Sequence, residues 1–379
     1  MRVEQKRWTQ ARGWEPESPG RLGESAQLVM LFGSTSILKE QKYLDEIEKA
    51  YPRAHLFGCS TAGEIYGTQV SDDSLVVTAV SFEHTQLEGA QIKITEVENS
   101  FQAGERLAQS LDKEGLAHVL VLSDGLKING SDLVKGLTKH LPEKITITGG
   151  LSGDGGRFEE TLVIWDSPPE RDTIAVLGLY GNRLKIGYGS FGGWDPFGPD
   201  RLITKSKGNV LYELEGGSAL ELYKKYLGEH AQGLPATGLL FPLNLRTKEG
   251  ETGVVRTILS VSEKEQSLTF AGDVPEGAYV HLMKANFDRL IDGAVEAAKT
   301  SYQAIGSSSP DLAILISCVG RKMVLKQRIE EEVEGVRDVL GDRTVLTGFY
   351  SYGEISPTMP GSACKLHNQT MTITTLKER

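Results

Sequence analysis

The chain has 379 residues and a formal net charge of −10, a balance that excludes a nucleic-acid backbone or an anionic membrane as the main partner. Hydrophobic residues make up 39% and charged residues 24%, so most of the chain is expected to fold, and 379 residues suffice for two packed α/β lobes. No apolar run approaches the ~18 residues of a membrane helix. The three cysteines, an odd number with no C-x-x-C pair, fit a reducing cytoplasm.

Residues 1–25 are polar and charged, without the apolar core of a signal peptide, and read as an irregular N-terminal extension. The apolar run Gln27 to Phe32 predicts a strand, and Lys39 to Ala50 has helical spacing at Tyr43, Ile47 and Ala50. A short strand at His55 to Phe57 then enters Gly58-Cys59-Ser60-Thr61-Ala62-Gly63-Glu64. Alternation at Leu75 to Val80 and at Ile92 to Ile94 predicts antiparallel strands.

The order recurs twice. His118 to Leu122 is a buried strand ending in Ser123-Asp124-Gly125, a helix runs to Leu141, and Ile145 to Thr148 leads into Gly149-Gly150-Leu151-Ser152-Gly153-Asp154. In the third copy Leu312 to Ile316 is the strand, Ser317 to Arg321 the turn, and Val324 to Leu340 a charged helix. Val345 to Thr347 then leads into Gly348-Phe349-Tyr350-Ser351-Tyr352-Gly353-Glu354. Such repetition predicts an α/β fold of two pseudo-symmetric lobes built from β-α-β units, with added antiparallel strands and an αββα layering as one arrangement. Between the second and third copies, Leu211 to Leu227 reads as a helix, and Glu215-Gly216-Gly217 as the lobe boundary, giving lobes at 26–216 and 217–379.

The turn Gly58 to Glu64 resembles the signature of FIST-N domains. Gly348 to Ile355, with Leu366-His367-Asn368-Gln369-Thr370, resembles the end of FIST-C domains, and Thr204 to Leu214 the link between the halves. The resemblance implies a stand-alone intracellular sensory module for small ligands, amino acids among them. Members of the family often sit beside signalling output domains, an animal relative is joined to an F-box, and some bacterial members bind haem and sense nitric oxide. With no output segment of its own, this chain would signal to a separate protein such as a histidine kinase or a cyclase.

Backbone N–H groups of glycine turns, with Ser and Thr hydroxyls, can hold an anion, and flanking carboxylates can receive an ammonium group. The candidate ligand residues are therefore Ser60, Thr61, Gly63, Glu64, Asp124, Ser152, Asp154, Ser351, Tyr352 and Glu354. Arg321, at the position matching Asp124 of the second copy, would clamp a carboxylate or pair with Glu354 or another nearby acid. Asn368 would satisfy a backbone edge. Cys59 is the candidate nucleophile, with His55 on the same strand face, against the ordinary role of a buried thiol. No residue pattern indicates a metal, and no cofactor is expected from the spacing, although a single axial histidine for haem would leave no signature. A Cys-dependent enzyme, a haem sensor and a ligand-free scaffold are the competing functions.

Overall fold

A computed structural model describes residues 1–246 and 253–378. The first unit contains β1 (Arg2–Thr9), β2 (Gly13–Glu15), β3 (Leu28–Gly33), α1 (Thr35–Leu38), α2 (Gln41–Ala50), β4 (His55–Ser60), β5 (Glu64–Tyr66), β6 (Gln69–Ser71) and β7 (Ser74–Ser81). The second contains β8 (Gln86–Lys93), α3 (Ser100–Ser110), β9 (Leu116–Ser123), α4 (Gly130–His140), β10 (Thr146–Leu151), β11 (Val163–Trp165) and β12 (Thr173–Tyr180).

The third opens with β13 (Leu184–Phe191) and is then interrupted by an inserted sheet. The insert comprises β14 (Trp194–Lys207), β15 (Val210–Leu214), β16 (Gly217–Ser218), α5 (Ala219–Leu227), β17 (Leu243–Arg246), β18 (Val254–Arg256), β19 (Ile258–Ser262), β20 (Ser267–Phe270) and β21 (Tyr279–Ala285). The unit resumes with α6 (Phe287–Ala304), β22 (Leu312–Cys318), α7 (Val319–Leu325), α8 (Ile329–Leu340), β23 (Val345–Ser351), β24 (Gly353–Pro357), β25 (Cys364–His367) and β26 (Met371–Glu378).

The repeated β-α-β units are each built around one parallel pair: β3 with β4, β9 with β10, and β22 with β23. Each unit then hands its next strand to a neighbour. β5 pairs with β23 of the third unit, β24 with β10 of the second, and β11 with β4 of the first. The exchange closes into a cycle, and its register repeats to the residue: Gly348 faces Ile65, Gly149 faces Ile355 and Gly58 faces Ile164.

Strand alternation divides the core. Leu28, Met30 and Phe32, Leu120 and Leu122, and Ile314 and Ile316 point inward and share one cluster drawn from all three sheets. The alternate residues Val29 and Leu31 pack on α1 and α2, while Val119 and Val121 pack with Leu107 and Leu133 of α3 and α4. Any two units in section therefore give helix, sheet, sheet, helix. The inserted sheet has its own core, including Leu220, Tyr223, Ile258 and Phe270.

Three sequence expectations change. The first 25 residues are not irregular: β1 pairs along its whole length with β7. Its inward side chains are Glu4 and Lys6 rather than apolar residues, and Glu4 accepts from the backbone N–H groups of Arg21 and Leu22 at 3.0 and 2.7 Å, so no hydrophobic alternation marks the strand. Val210–Leu214 is a strand, because Glu215 and Gly216 (φ 52° and 81°) turn the chain before α5 begins. That turn lies inside the insert, beside the paired strands β15 and β16, and the 216/217 boundary falls there. The charged helix of the third unit is broken at Lys326, which has φ 50°.

Candidate functional site

The three glycine turns meet at one point and close on each other. Ala62 N–H donates to the Tyr350 carbonyl (2.8 Å), Tyr352 N–H to the Leu151 carbonyl (3.1 Å) and Gly153 N–H to the Ser60 carbonyl (3.0 Å). These are equivalent positions of the three repeats, so the ring follows the same cycle as the strand exchange. The Ser60 hydroxyl accepts from Leu162 N–H (2.9 Å), and the Ser152 hydroxyl donates to the Ser123 carbonyl (2.8 Å). A Cβ on Gly63 would lie 2.4 Å from the Lys322 ammonium, which itself donates to the Ala62 carbonyl at 2.8 Å.

Glu64 and Glu354 occupy equivalent places and are held alike. Glu64 accepts from the Ser74 N–H and hydroxyl (3.1 and 2.6 Å) and from the Thr61 hydroxyl. Glu354 accepts from the Thr370 N–H and hydroxyl (3.2 and 2.9 Å) and from the Ser351 hydroxyl (2.6 Å). In the second unit that position is Val163, and Asp124 supplies the carboxylate instead, from the end of β9, with the Thr161 hydroxyl donating to it at 2.6 Å. Asp154 is gripped by the N–H groups of Phe158, Glu159 and Glu160 (2.9, 2.8 and 3.0 Å) and by the Tyr352 hydroxyl.

Burial pushes the Glu64 carboxyl up to about 7 and that of Glu354 up to about 8, outweighing the hydroxyl and N–H donors that favour the ionised form. Both carboxyls therefore hold a proton in the folded chain where the unfolded chain has released it. Stability should be fullest below the unfolded value near 4.5 and fall as pH rises through about 7 and 8. Urea midpoints measured from pH 5 to pH 8 should decline, and Glu354→Gln should flatten that decline. A midpoint that rises over this range would refute the assignment.

Arg321 does not occupy the position equivalent to Asp124. Counting from the parallel registers, Val121 with Gly149 and Leu315 with Gly348, the residue equivalent to Asp124 is Cys318. The Arg321 side chain is fully buried and pairs with Glu332, through Nε at 3.0 Å and Nη2 at 2.8 Å, rather than with Glu354. Its other donors go to the carbonyls of Leu290, Gly192 and Gln369. All five N–H groups are used. Cys59 is fully buried, burial drives its thiol well above the ordinary range, and His55 is bound instead to Asp166 at 2.6 Å. That environment suits a core thiol rather than a nucleophile.

Two open cavities border the inserted sheet. A cleft of about 480 Å³ runs between α4, β17, β18 and β25, with Val134, Lys135, Leu245, Arg256, Asp273 and Leu366 among its walls. Its walls come from both halves of the chain. Arg256 is 7% exposed and ionised, although burial lowers it to about 10. Among the described residues its donors meet neutral acceptors: the carbonyls of Asp273 (3.1 Å), Leu366 (3.1 Å) and Val255 (3.4 Å) and the Ser131 hydroxyl (3.3 Å). Among the described residues no carboxylate forms an ion pair with it. The Asp273 carboxylate is instead taken by Lys135 and by the Asn129 amide, at 2.7 Å for the latter. The sequence signal was an arginine set inside the apolar run Val254 to Leu259.

Behind the cleft, Asn368 accepts from Thr257 N–H (3.2 Å) and donates to the Tyr352 carbonyl (3.1 Å). The Gln369 amide donates both to the Leu239 carbonyl (2.8 Å) and to the Thr257 hydroxyl (3.2 Å). A second groove, of about 590 Å³, opens past Leu239 between the insert and α7. His230 lines it, and among the described residues His230 is the one histidine whose ring makes no hydrogen bond. Together with Met323 and three basic residues on the same walls, this supplies the residue types that a haem would use. Among the described residues no cluster of three or more His, Cys, Asp or Glu could hold a metal ion, and no helix is long and apolar enough to cross a membrane.

The FIST N domain model matches residues 27–217 and the FIST C domain model residues 219–357. The chain belongs to the FIST family, whose domains are generally sensory. An uncharacterised protein of Methanocaldococcus jannaschii is 26% identical over 349 residues, covering 84% of this chain, which spans 64% of that relative's length. Among solved structures, a cyanuric acid hydrolase from A. caulinodans aligns over 100% of this chain and 99% of its own with a TM-score of 0.37. A chorismatase aligns over 98% of each chain with a TM-score of 0.34, and both are 9% identical to this chain. At these scores neither activity nor substrate passes to this chain.

Proposed function

We propose that this chain is a cytoplasmic sensory module that binds a small zwitterion, an amino acid or close analogue, in the cleft beside Arg256. It would report occupancy to a separate signalling protein such as a histidine kinase or a cyclase. The observation that carries this reading is a buried guanidinium whose partners among the described residues are all neutral, lining a cleft shared by both halves of the chain. A ligand carboxylate would complete Arg256, and the ammonium group would fall to Asp273. Val134 and Leu245 would face the side chain. The ring of turns, with Glu64, Asp154 and Glu354, then forms the buried frame behind the cleft, reached from Arg256 through Thr257 and Asn368. Closure of the insert onto the body would carry the signal.

The test is calorimetry and thermal shift over the amino acids, with the matching amino-acid amides as controls. At about 100 times its Kd a ligand should add about 2.7 kcal/mol of stability. The amide, lacking the carboxylate, should bind at least about tenfold more weakly, and Arg256→Gln should show the same loss toward the acid. Equal binding of acid and amide would end this assignment. Haem is the second reading, favoured by the free ring of His230. A Soret band on haem addition that disappears in His230→Ala would support it.

A further inference from the structure

The geometry points to a second ligand site in the groove of about 590 Å³ beyond Gln369, one that takes a small amphipathic carboxylate with an aliphatic or aryl body. Its apolar surface comes from Leu240 and Phe241 of the insert and from Phe287, Met323 and Val324 of the body. Phe287, at the start of α6, is 46% exposed and adds an open aromatic face to this surface. The volume lies within the range of small-ligand pockets.

The polar side of the groove is basic. Lys284, Lys326 and Arg328 line it, and no carboxylate is among its lining residues. Arg328 is already paired with Asp288 (2.9 Å) and Glu331 (2.8 Å) and lies over the Phe287 ring at 6.0 Å from its centroid. Among the described residues, Lys284 and Lys326 have no acid within ion-pair distance. Lys284 stands opposite Asp195 in the β14–β21 ladder, but that carboxylate is paired with Arg289, so both ammonium groups border the apolar surface outside any ion pair among the described residues.

Lys326 adds a separate observation. It caps α7 with φ 50° and ψ −113°, a backbone state suited to glycine, which a lysine side chain occupies only at a cost. From that position Lys326 lines the groove with a cation that can pair with a carboxylate head group. An anion placed there would meet both lysines while its body covers Phe287 and Met323. The groove is separate from the Arg256 cleft, so this site stands or falls without that reading.

The probes are sodium decanoate and 4-phenylbutyrate, with decanamide as the neutral control, measured by calorimetry on the full chain. Both acids should bind, decanamide should bind at least tenfold more weakly, and the exposed double variant Lys284→Glu/Lys326→Glu should lose at least tenfold toward the acids. Lys326→Gly relieves the backbone and removes one charge, so it should be more stable than the parent yet weaker in binding. Unchanged decanoate affinity in the double variant overturns the proposal. So does competition for decanoate by amino acids that require Arg256, which would place it in the other cleft. A haem Soret signal that decanoate does not displace, or an acidic peptide that binds where the two acids do not, would give the groove to another occupant and equally overturn it.

Discussion

Replacing Arg321 with methionine should lower the stability of the chain by about 3–5 kcal/mol, the cost of stripping one partner from a buried ion pair. Arg321 and Glu332 both have fully buried side chains, so water cannot take over the abandoned charge. Glu332 would keep only the Tyr350 hydroxyl at 2.7 Å and the Ser317 hydroxyl at 3.2 Å. The carbonyls of Leu290 and Gly192 would also lose their donor. The double variant Arg321→Met/Glu332→Leu should recover much of the loss, because an apolar pair of similar volume carries no stranded charge. Urea unfolding of the two variants checks both statements. A loss below about 1 kcal/mol in Arg321→Met would show that the pair is dispensable.

Gly348→Ala should be at least as severe. A Cβ there would lie 1.8 Å from the Leu315 carbonyl oxygen, and the equivalent atoms at Gly149 and Gly58 would lie 1.9 Å from Val121 O and 2.3 Å from Leu31 O. Both sides of each contact are backbone within a central parallel pair, so relief requires strands to separate. The expected result is loss of more than about 3 kcal/mol or failure to accumulate as folded protein. Gly156, where an added Cβ meets nothing within 4 Å, is the control. Gly156→Ala should unfold within about 0.5 kcal/mol of the parent.

Much of the body could be read from the residues. Runs such as Val119 to Leu122 and Leu312 to Ile316 are apolar on both faces because one face meets the shared centre and the other a helix, and continuous apolar character marks a buried strand. The glycine turns were visible for the physical reason now seen, a close approach of backbone to backbone. What the residues did not reveal was the partner of the strand after each turn. β5, β11 and β24 are three to five residues long and carry no mark of the unit they join. β1 escaped notice because its inward positions are charged. The Arg256 cleft escaped because its walls are brought together from four distant segments. In a single chain, a lone arginine in a strand looks the same whether it faces solvent or a ligand.

The cyclic strand exchange has a consequence for how this chain can be cut. A fragment ending at the junction of the two family models, near residue 217, would retain β5 and β10 but lack β23 and β24. Two bare sheet edges would result, each a template for pairing with another molecule. The insert behaves in the opposite way. Trp194 and Ala285 stand opposite each other in the same ladder, so the insert leaves and re-enters the body at neighbouring points. Residues 195–284 could be replaced by a short linker without opening any of the three sheets of the body. The seam open to editing is thus the one that borders the Arg256 cleft and the second groove, and the seam between the two named domains is woven shut.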